Sequence, residues 1–312
     1  MKKLLSMAMV LMMVTLAGCS SQTTQPTLYN LATASVGGAF YPMGQAVATV
    51  VNDNTDVVEL TAEVSNGSVE NPRLVDSGEA SIGITNANLA IHAINGTGPY
   101  EKQLNISAIG NLHPSVLHIV TTEGSGIETI ADLKGKRLAA GPAGGGSIAM
   151  LEVMSEYYDM TIEDIESSYL SYSDGFSQLS DGNVDAAIAL SGYPAGAVLE
   201  ASTTSDLVFI ELGDDIMAEL LADNPAYSNI VVPANVYKSA ADISMVGVRN
   251  MLVVNNDIPE DDVYEITKAL YGNLESMYKI NETSNQMIPE TVLETVIPLH
   301  PGAQKYADEV KK

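Results

Sequence analysis

The chain has 312 residues, with 39 acidic against 14 basic side chains, one cysteine and no tryptophan, for a formal charge of −25. With 46% of its residues apolar and 17% charged, it is neither a disordered polyanion nor a bundle of membrane spans, and a chain of this length usually makes two domains. So acidic a chain is repelled by nucleic-acid phosphates, and a single cysteine excludes an internal disulfide framework and any Cys-based zinc cage.

Met1-Lys2-Lys3 opens the chain with positive charge, and residues 4–17 follow as an apolar stretch. That stretch falls short of the ~20 residues a membrane-spanning helix needs, so residues 1–18 are a bacterial export signal to be excluded from the fold. It ends Leu16-Ala17-Gly18-Cys19, which resembles a lipobox, with Cys19 the residue that is acylated. Residues 19–27 are then a polar linker, and acyl chains anchor a protein without spanning the bilayer. The expected location is extracytoplasmic, periplasmic or cell-surface, with the membrane reached by the lipid alone. Processing removes Lys2 and Lys3, so 12 basic side chains remain against 39 acidic ones and the formal charge becomes −27.

Beyond the linker, strand-like and helix-like stretches alternate. Residues 28–33 predict a strand and 42–51 a helix. Residues 58–64 alternate as a strand does, with a helical stretch after them that ends at Ser77-Gly78, and 81–85 predict a third strand. Residues 106–110 and 117–122 read as two extended segments, 136–140 as a strand, and 147–158 as a helix. Residues 168–172, 186–190 and 207–212 repeat the strand signal. Pro259 with Glu260-Asp261-Asp262 begins a helix whose stripe Val263, Ile266, Leu270, Leu274 and Met277 marks a core face, with Tyr264, Tyr271 and Tyr278 as packing residues. Strands alternating with helices of 10–15 residues predict an α/β fold with a mainly parallel sheet flanked by helices.

Four loops share one composition: Ser35-Val-Gly-Gly-Ala-Phe-Tyr41, Ser65-Asn-Gly-Ser68, Gly141-Pro-Ala-Gly-Gly-Gly-Ser147 and Ser191-Gly-Tyr-Pro194. Glycine lets backbone N–H groups approach a ligand, Ser, Asn and Tyr add donors, and a helix N-terminus adds a positive end suited to a carboxylate or phosphate. None of the four holds Lys or Arg, so an anion would be bound by neutral donors. In such folds ligands sit beyond the carboxyl ends of strands, where these loops fall.

Enzyme motifs fail in turn. Gly141 to Ser147 lacks the Gly-Lys-Ser/Thr ending of a P-loop, Gly144-Gly-Gly146 lacks the last glycine of a dinucleotide fingerprint, and no Gly-x-Ser-x-Gly elbow occurs. His92, His113, His118 and His300 show no metal-ligand spacing. His113 and His118, five apart across Pro114, are either a catalytic pair or satisfied polar packing. Acidic pairs such as Asp214-Asp215 and Asp261-Asp262 are helix caps. The expectation is a binding protein, not an enzyme, with no metal and no cofactor.

Taken together, Ala34-Ser-Val-Gly-Gly-Ala-Phe-Tyr-Pro-Met-Gly44, Ser65-Asn-Gly-Ser-Val-Glu-Asn71 with Arg73-Leu74, Gly141 to Ser147, Asp181-Gly-Asn-Val-Asp-Ala186 and Leu299-His-Pro-Gly-Ala303 resemble the TAXI family, the substrate-binding proteins of TRAP transporters. The resemblance implies a two-lobed type II periplasmic binding protein fold with the ligand cleft between the lobes. One lobe would hold residues 28–115 and 246–312, the other 116–245. It further implies a small organic acid as ligand, such as glutamate or a C4-dicarboxylate, and TRAP membrane subunits as partners. Ser35, Gly37, Gly38, Phe40 and Tyr41 would hold the ligand from one side, with Asn66, Ser68, Asn86 and Asn88 nearby. Ala143, Gly144, Gly145, Gly146, Ser147, Ser191, Gly192, Tyr193 and Pro194 would face it from the other. Tyr41 and Ser147 stand out because each ends a loop. The chain departs from the family at Phe40, at Asn86-Ala-Asn88 and at Pro72. A ligand sensor feeding a signalling partner, or an enzyme on the same fold, are the alternatives.

Overall fold

The computed structural model describes residues 25–311. The export signal, Cys19 and most of the linker lie outside the described residues. Ten strands are formed: β1 (Thr27–Ala32), β2 (Val58–Glu63), β3 (Ile82–Asn86), β4 (Ile106–Thr122), β5 (Arg137–Ala139), β6 (Glu166–Ser168), β7 (Ala186–Ser191), β8 (Leu207–Phe209), β9 (Tyr227–Val232) and β10 (Ile243–Asn255). Helices α1 (Phe40–Asn54), α2 (Asn71–Ser77) and α3 (Ala87–Asn95) alternate with the first strands. α4 (Gly146–Glu156), α5 (Tyr172–Ser180), α6 (Gly196–Ala201), α7 (Asp214–Asp223) and α8 (Ala234–Tyr237) follow, and α9 (Glu260–Tyr271), α10 (Leu274–Ile280) and α11 (Pro301–Val310) close the chain.

The strands make one sheet in the order β2-β1-β3-β10-β4-β7-β5-β6, with β8 on β4 and β9 on β10. The flanks are parallel, β1 with β2 and β3, and β5 with β6 and β7. The centre is antiparallel, β10 with β3, β4 and β9, and β4 with β7 and β8. The sheet is therefore mixed, because the long central strands oppose their neighbours, β10 running against the β1-β2-β3 flank and β4 against the β5-β6-β7 flank.

β4 is also a correction to the two separate segments expected from sequence. It continues through Pro114, which pairs with Arg249 where the register shifts. Proline gives no N–H to a ladder, and here it sits beside a bulge that tolerates the loss. The terminal stripe is likewise interrupted: α9 ends at Tyr271 and α10 begins at Leu274. Val263, Ile266, Leu270 and Met277 are still buried on one core. Tyr271 packs as expected, its hydroxyl donating to the Asn111 carbonyl at 3.1 Å. Its ring occupies the space a Cβ at Gly110 would need, with ring atoms at 2.6 and 2.7 Å from that position.

The apolar residues gather into cores at the two ends of the sheet. Leu31, Met43, Ile84 and Leu270 belong to one, and Leu138, Met150, Leu151 and Ile188 to another. β4 and β10 serve both: Ile109 and Leu252 enter the first, Ile119 and Val248 the second. Among the described residues, no helix is long and apolar enough to cross a membrane.

Candidate functional site

Three helices of nine residues or more begin at one place. Phe40 of α1, Gly146 of α4 and Tyr172 of α5 are first residues of their helices, and all three line one small cavity together with Asn66, Ser68 and Pro142. Unpaired N–H groups and the helix dipole make each such end favourable to negative charge. Among the described residues, no Lys or Arg lines the cavity. Its volume is only about 10 Å³, room for about one water.

The cavity is small because loops from the two ends of the sheet touch directly. The Gly144 carbonyl accepts from the N–H groups of Val69 at 3.0 Å and Glu70 at 3.2 Å. The Gly37 carbonyl accepts from Ala197 N at 3.1 Å, and Ser191 Oγ accepts from Ala39 N at 2.9 Å. Gly37 has φ +94°, and a Cβ there would lie 2.6 Å from Ser173 N, so only glycine lets this loop lie against α5.

Beneath the cavity runs a chain of buried polar side chains. Asn86 Nδ2 donates to Asn250 Oδ1 at 2.8 Å, and Asn250 Nδ2 donates to Ser115 Oγ at 2.9 Å and to His113 Nε2 at 3.3 Å. Because His113 Nε2 accepts, the Asn250 carbonyl is free to receive Asn86, which leaves Asn86 Oδ1 pointing the other way. That oxygen is buried without a partner among the described residues. It lies 2.4 Å from where a Cβ on Gly146 would be, so it packs against a residue that lines the cavity but does not line it itself.

Of the residues singled out in the sequence, Gly38, Phe40, Asn66, Ser68, Gly145 and Gly146 line the cavity. Gly37, Gly144 and Ser191 hold its two sides together, Asn86 abuts it, and the buried Ser35 Oγ has no partner among the described residues. The others do not reach it. Ser147 is fully buried and its hydroxyl donates to the Ala140 carbonyl at 2.8 Å, so it braces its own loop. Tyr41 is half-buried and outside the lining, since the second residue of a helix turns away from the point where the first one aims. Ala143 is exposed. Gly192 packs against His113 and Thr283, the Tyr193 carbonyl accepts from Gln286 Nε2, and Pro194 lies beyond them, outside the lining. Asn88 faces a different cavity, its Nδ2 donating to the Tyr227 hydroxyl at 3.2 Å.

Tyr172, Asn250 and His113 were not singled out for the site. Residues 168–172 read as a strand, yet β6 stops at Ser168 and α5 starts at Tyr172. The available signal was Ser171 with Asp174 three residues on: Ser171 Oγ accepts from Asp174 N at 3.1 Å and caps the helix.

His113 and His118 have separate environments. His118 Nδ1 donates to the Ala189 carbonyl at 3.0 Å and Nε2 accepts from the Tyr237 hydroxyl at 2.7 Å, which is satisfied polar packing. Burial pushes His113 down to about 3 and His118 down to about 4. A histidine whose folded pKa is depressed leaves the unfolded chain to take up the proton first, so its stabilisation is present above the unfolded value near 6.5 and is lost as pH falls below it. Together the two should cost about 2.5 kcal/mol between pH 7 and pH 5.5. Urea unfolding at the two pH values checks this, and an unchanged free energy would mean that both rings are charged in the folded protein.

Several solved structures are similar. One, described with glutathione import through GshT and the cystine ABC importer TcyBC of Streptococcus mutans, is 14% identical with a TM-score of 0.52, covering 83% of this chain and 95% of that one. A binding protein component of an ABC phosphonate transporter from Pseudomonas aeruginosa is 11% identical with a TM-score of 0.51, covering 83% of this chain and 79% of that one. An ancestral arginine-binding protein bound to arginine is 15% identical with a TM-score of 0.50, covering 83% and 99%. These likenesses establish the fold as that of type II periplasmic binding proteins. Residues 31–310 match the model of the NMT1-like family, and the chain belongs to that family.

Proposed function

We propose that the protein is an extracytoplasmic solute receptor, anchored through a lipid on Cys19, that binds a small organic anion and delivers it to a TRAP-type carrier of the TAXI kind. The observation that carries this reading is the convergence of three helix N-termini on a cavity without a cation. Residues 28–115 with 246–312 form one lobe and 116–245 the other, and β4 and β10 are the hinge between them. Proteins of the same fold are described with glutathione import, phosphonate transport and arginine binding.

A ligand of acidic amino-acid size needs far more than about 10 Å³. Entry therefore requires the lobes to part, breaking the bonds from Val69, Glu70 and Ala197 and that from Ala39 to Ser191. The ligand carboxylate then takes backbone N–H groups at the starts of α1 and α4, and the lobes close onto the ligand in place of the direct contacts that leave room for one water. Asn86 Oδ1 is an acceptor, so it favours an acid that also carries a donor. Glutamate or aspartate should thus bind more tightly than succinate, by roughly tenfold for one buried hydrogen bond. Calorimetric titration of the mature protein with acidic amino acids, dicarboxylates and 2-oxo acids tests the reading. Heat on binding without turnover supports it. No binding of any acid, together with hydrolysis of an ester or phosphate, would overturn it.

A further inference from the structure

A second cavity lies between the two lobes and shares no lining residue with the small one. Its volume is about 490 Å³, within the ~300–1,000 Å³ range of small-molecule sites. One wall is α3 with Gly98-Pro99, and the other is α4 with residues 223–227, so whatever fills it touches both lobes. Leu89, Ile91, Ala149 and Val153 make the interior apolar.

The polar groups around that interior are mostly acceptors. Asn88 lines the cavity with its Oδ1 closed off from solvent and its Nδ2 held by the Tyr227 hydroxyl at 3.2 Å, so the accessible acceptors are the carboxylates. The carboxylates of Glu152 and Asp223 stand at the exposed mouth, where one Asp223 oxygen accepts from the Tyr157 hydroxyl at 3.0 Å. Among the described residues, no Lys or Arg is in the lining, and His92 is engaged through Nδ1 with Thr97 Oγ1 at 2.8 Å. An anion here would face two carboxylates without compensation. A neutral apolar molecule would fill the interior but gain nothing from the two carboxylates at the mouth, which water already solvates. An ammonium group carries three donors for those acceptors, and an attached apolar body matches the walls.

We infer that this cavity is a binding site for an organic ammonium with an apolar body, a primary alkyl- or arylalkylamine, its body between α3 of one lobe and α4 of the other and its ammonium group at the Glu152 and Asp223 carboxylates. The formal charge, −25 for the whole chain and −27 once Lys2 and Lys3 are removed, draws such cations toward the protein at low ionic strength, whereas it repels anions. Because the site is built from both lobes, an amine bound there holds them together and favours the closed form.

The probe is n-hexylammonium, with n-hexanol and hexanoate as controls of equal length, titrated into the mature protein by calorimetry and followed in parallel by thermal unfolding. The expected result is saturable one-to-one binding of the amine alone, with a rise in unfolding temperature. Affinity should fall at least tenfold in Glu152→Gln/Asp223→Asn and be lost in Ala149→Phe, which fills the cavity. Unfolding temperatures of the free variants separate a blocked site from a damaged fold, and the double variant should keep its affinity for any acid bound at the other cavity. Equal binding of hexanol, undiminished binding by the double variant, or no saturable amine binding would each overturn the proposal. None of these outcomes depends on whether the small cavity takes an acid.

Discussion

Gly146→Ala should abolish acid binding, by a hundredfold or more, while leaving the protein folded. A Cβ at this position would lie 2.4 Å from Asn86 Oδ1, 2.9 Å from Leu190 Cδ2 and 3.2 Å from Ser68 Oγ. The first two distances are shorter than real contacts, so Asn86 or α4 must move. Asn86 has little freedom to do so, because its amide is fixed by Asn250, which is fixed in turn by Ser115 and His113. The added methyl therefore stands where, in the function proposed above, the lobes close and a ligand meets the start of α4. Stability should respond in the opposite sense. Position 146 is the first residue of a helix, where alanine is preferred over glycine, by about 1 kcal/mol in helix interiors. An open form is relieved of the contact with Asn86, and Leu190 Cδ2 is the end of a flexible side chain that can shift by a few tenths of an ångström, so the unfolding temperature should stay within a few degrees of that of the parent. Titration with glutamate and a thermal melt on the same preparation check both halves. Undiminished binding would show that the ligand does not occupy the space at Gly146.

The four glycine-rich loops were legible in the sequence because each follows a strand and must turn tightly before a helix. The sheet then carries all four to one place, since β1, β2, β5 and β7 present the ends that these loops extend. The side chains that would meet the ligand were less legible. Ser147 has the same composition signal as Ser68, but a carbonyl within its own loop takes its hydroxyl. Asn250 lies in β10 between Arg249 and an apolar run, where nothing local marks it, and it matters only because β3 and β4 bring Asn86, Ser115 and His113 against it. Long-range pairing of that kind has no local pattern. The mixed sheet escaped the reading for the same reason: parallel flanks follow from alternating strands and helices, whereas the two central strands that oppose them are paired across more than 130 residues.

Asn71→Ala should be among the most destabilising single changes, at about 3–5 kcal/mol. Asn71 is fully buried at the first position of α2. Its Nδ2 donates to the carbonyls of Thr33 and Ile84, both at 2.7 Å, and to that of Ala32 at 3.2 Å, while its Oδ1 accepts from Ser65 Oγ at 2.6 Å. One amide thus ties the ends of β1 and β3 to the loop that begins at Ser65. Alanine leaves those carbonyls without the donor and adds a void where water has no access. Aspartate separates the causes, because it keeps the volume but turns acceptor oxygens toward three carbonyl oxygens. At neutral pH Asn71→Asp should therefore destabilise at least as much as alanine. As pH falls, protonation supplies one donor and the penalty should shrink, whereas the alanine variant gains nothing from acid. Urea unfolding of both variants at pH 7 and at pH 5 distinguishes a lost donor from a lost contact, and equal responses to acid would remove the hydrogen bonds as the cause.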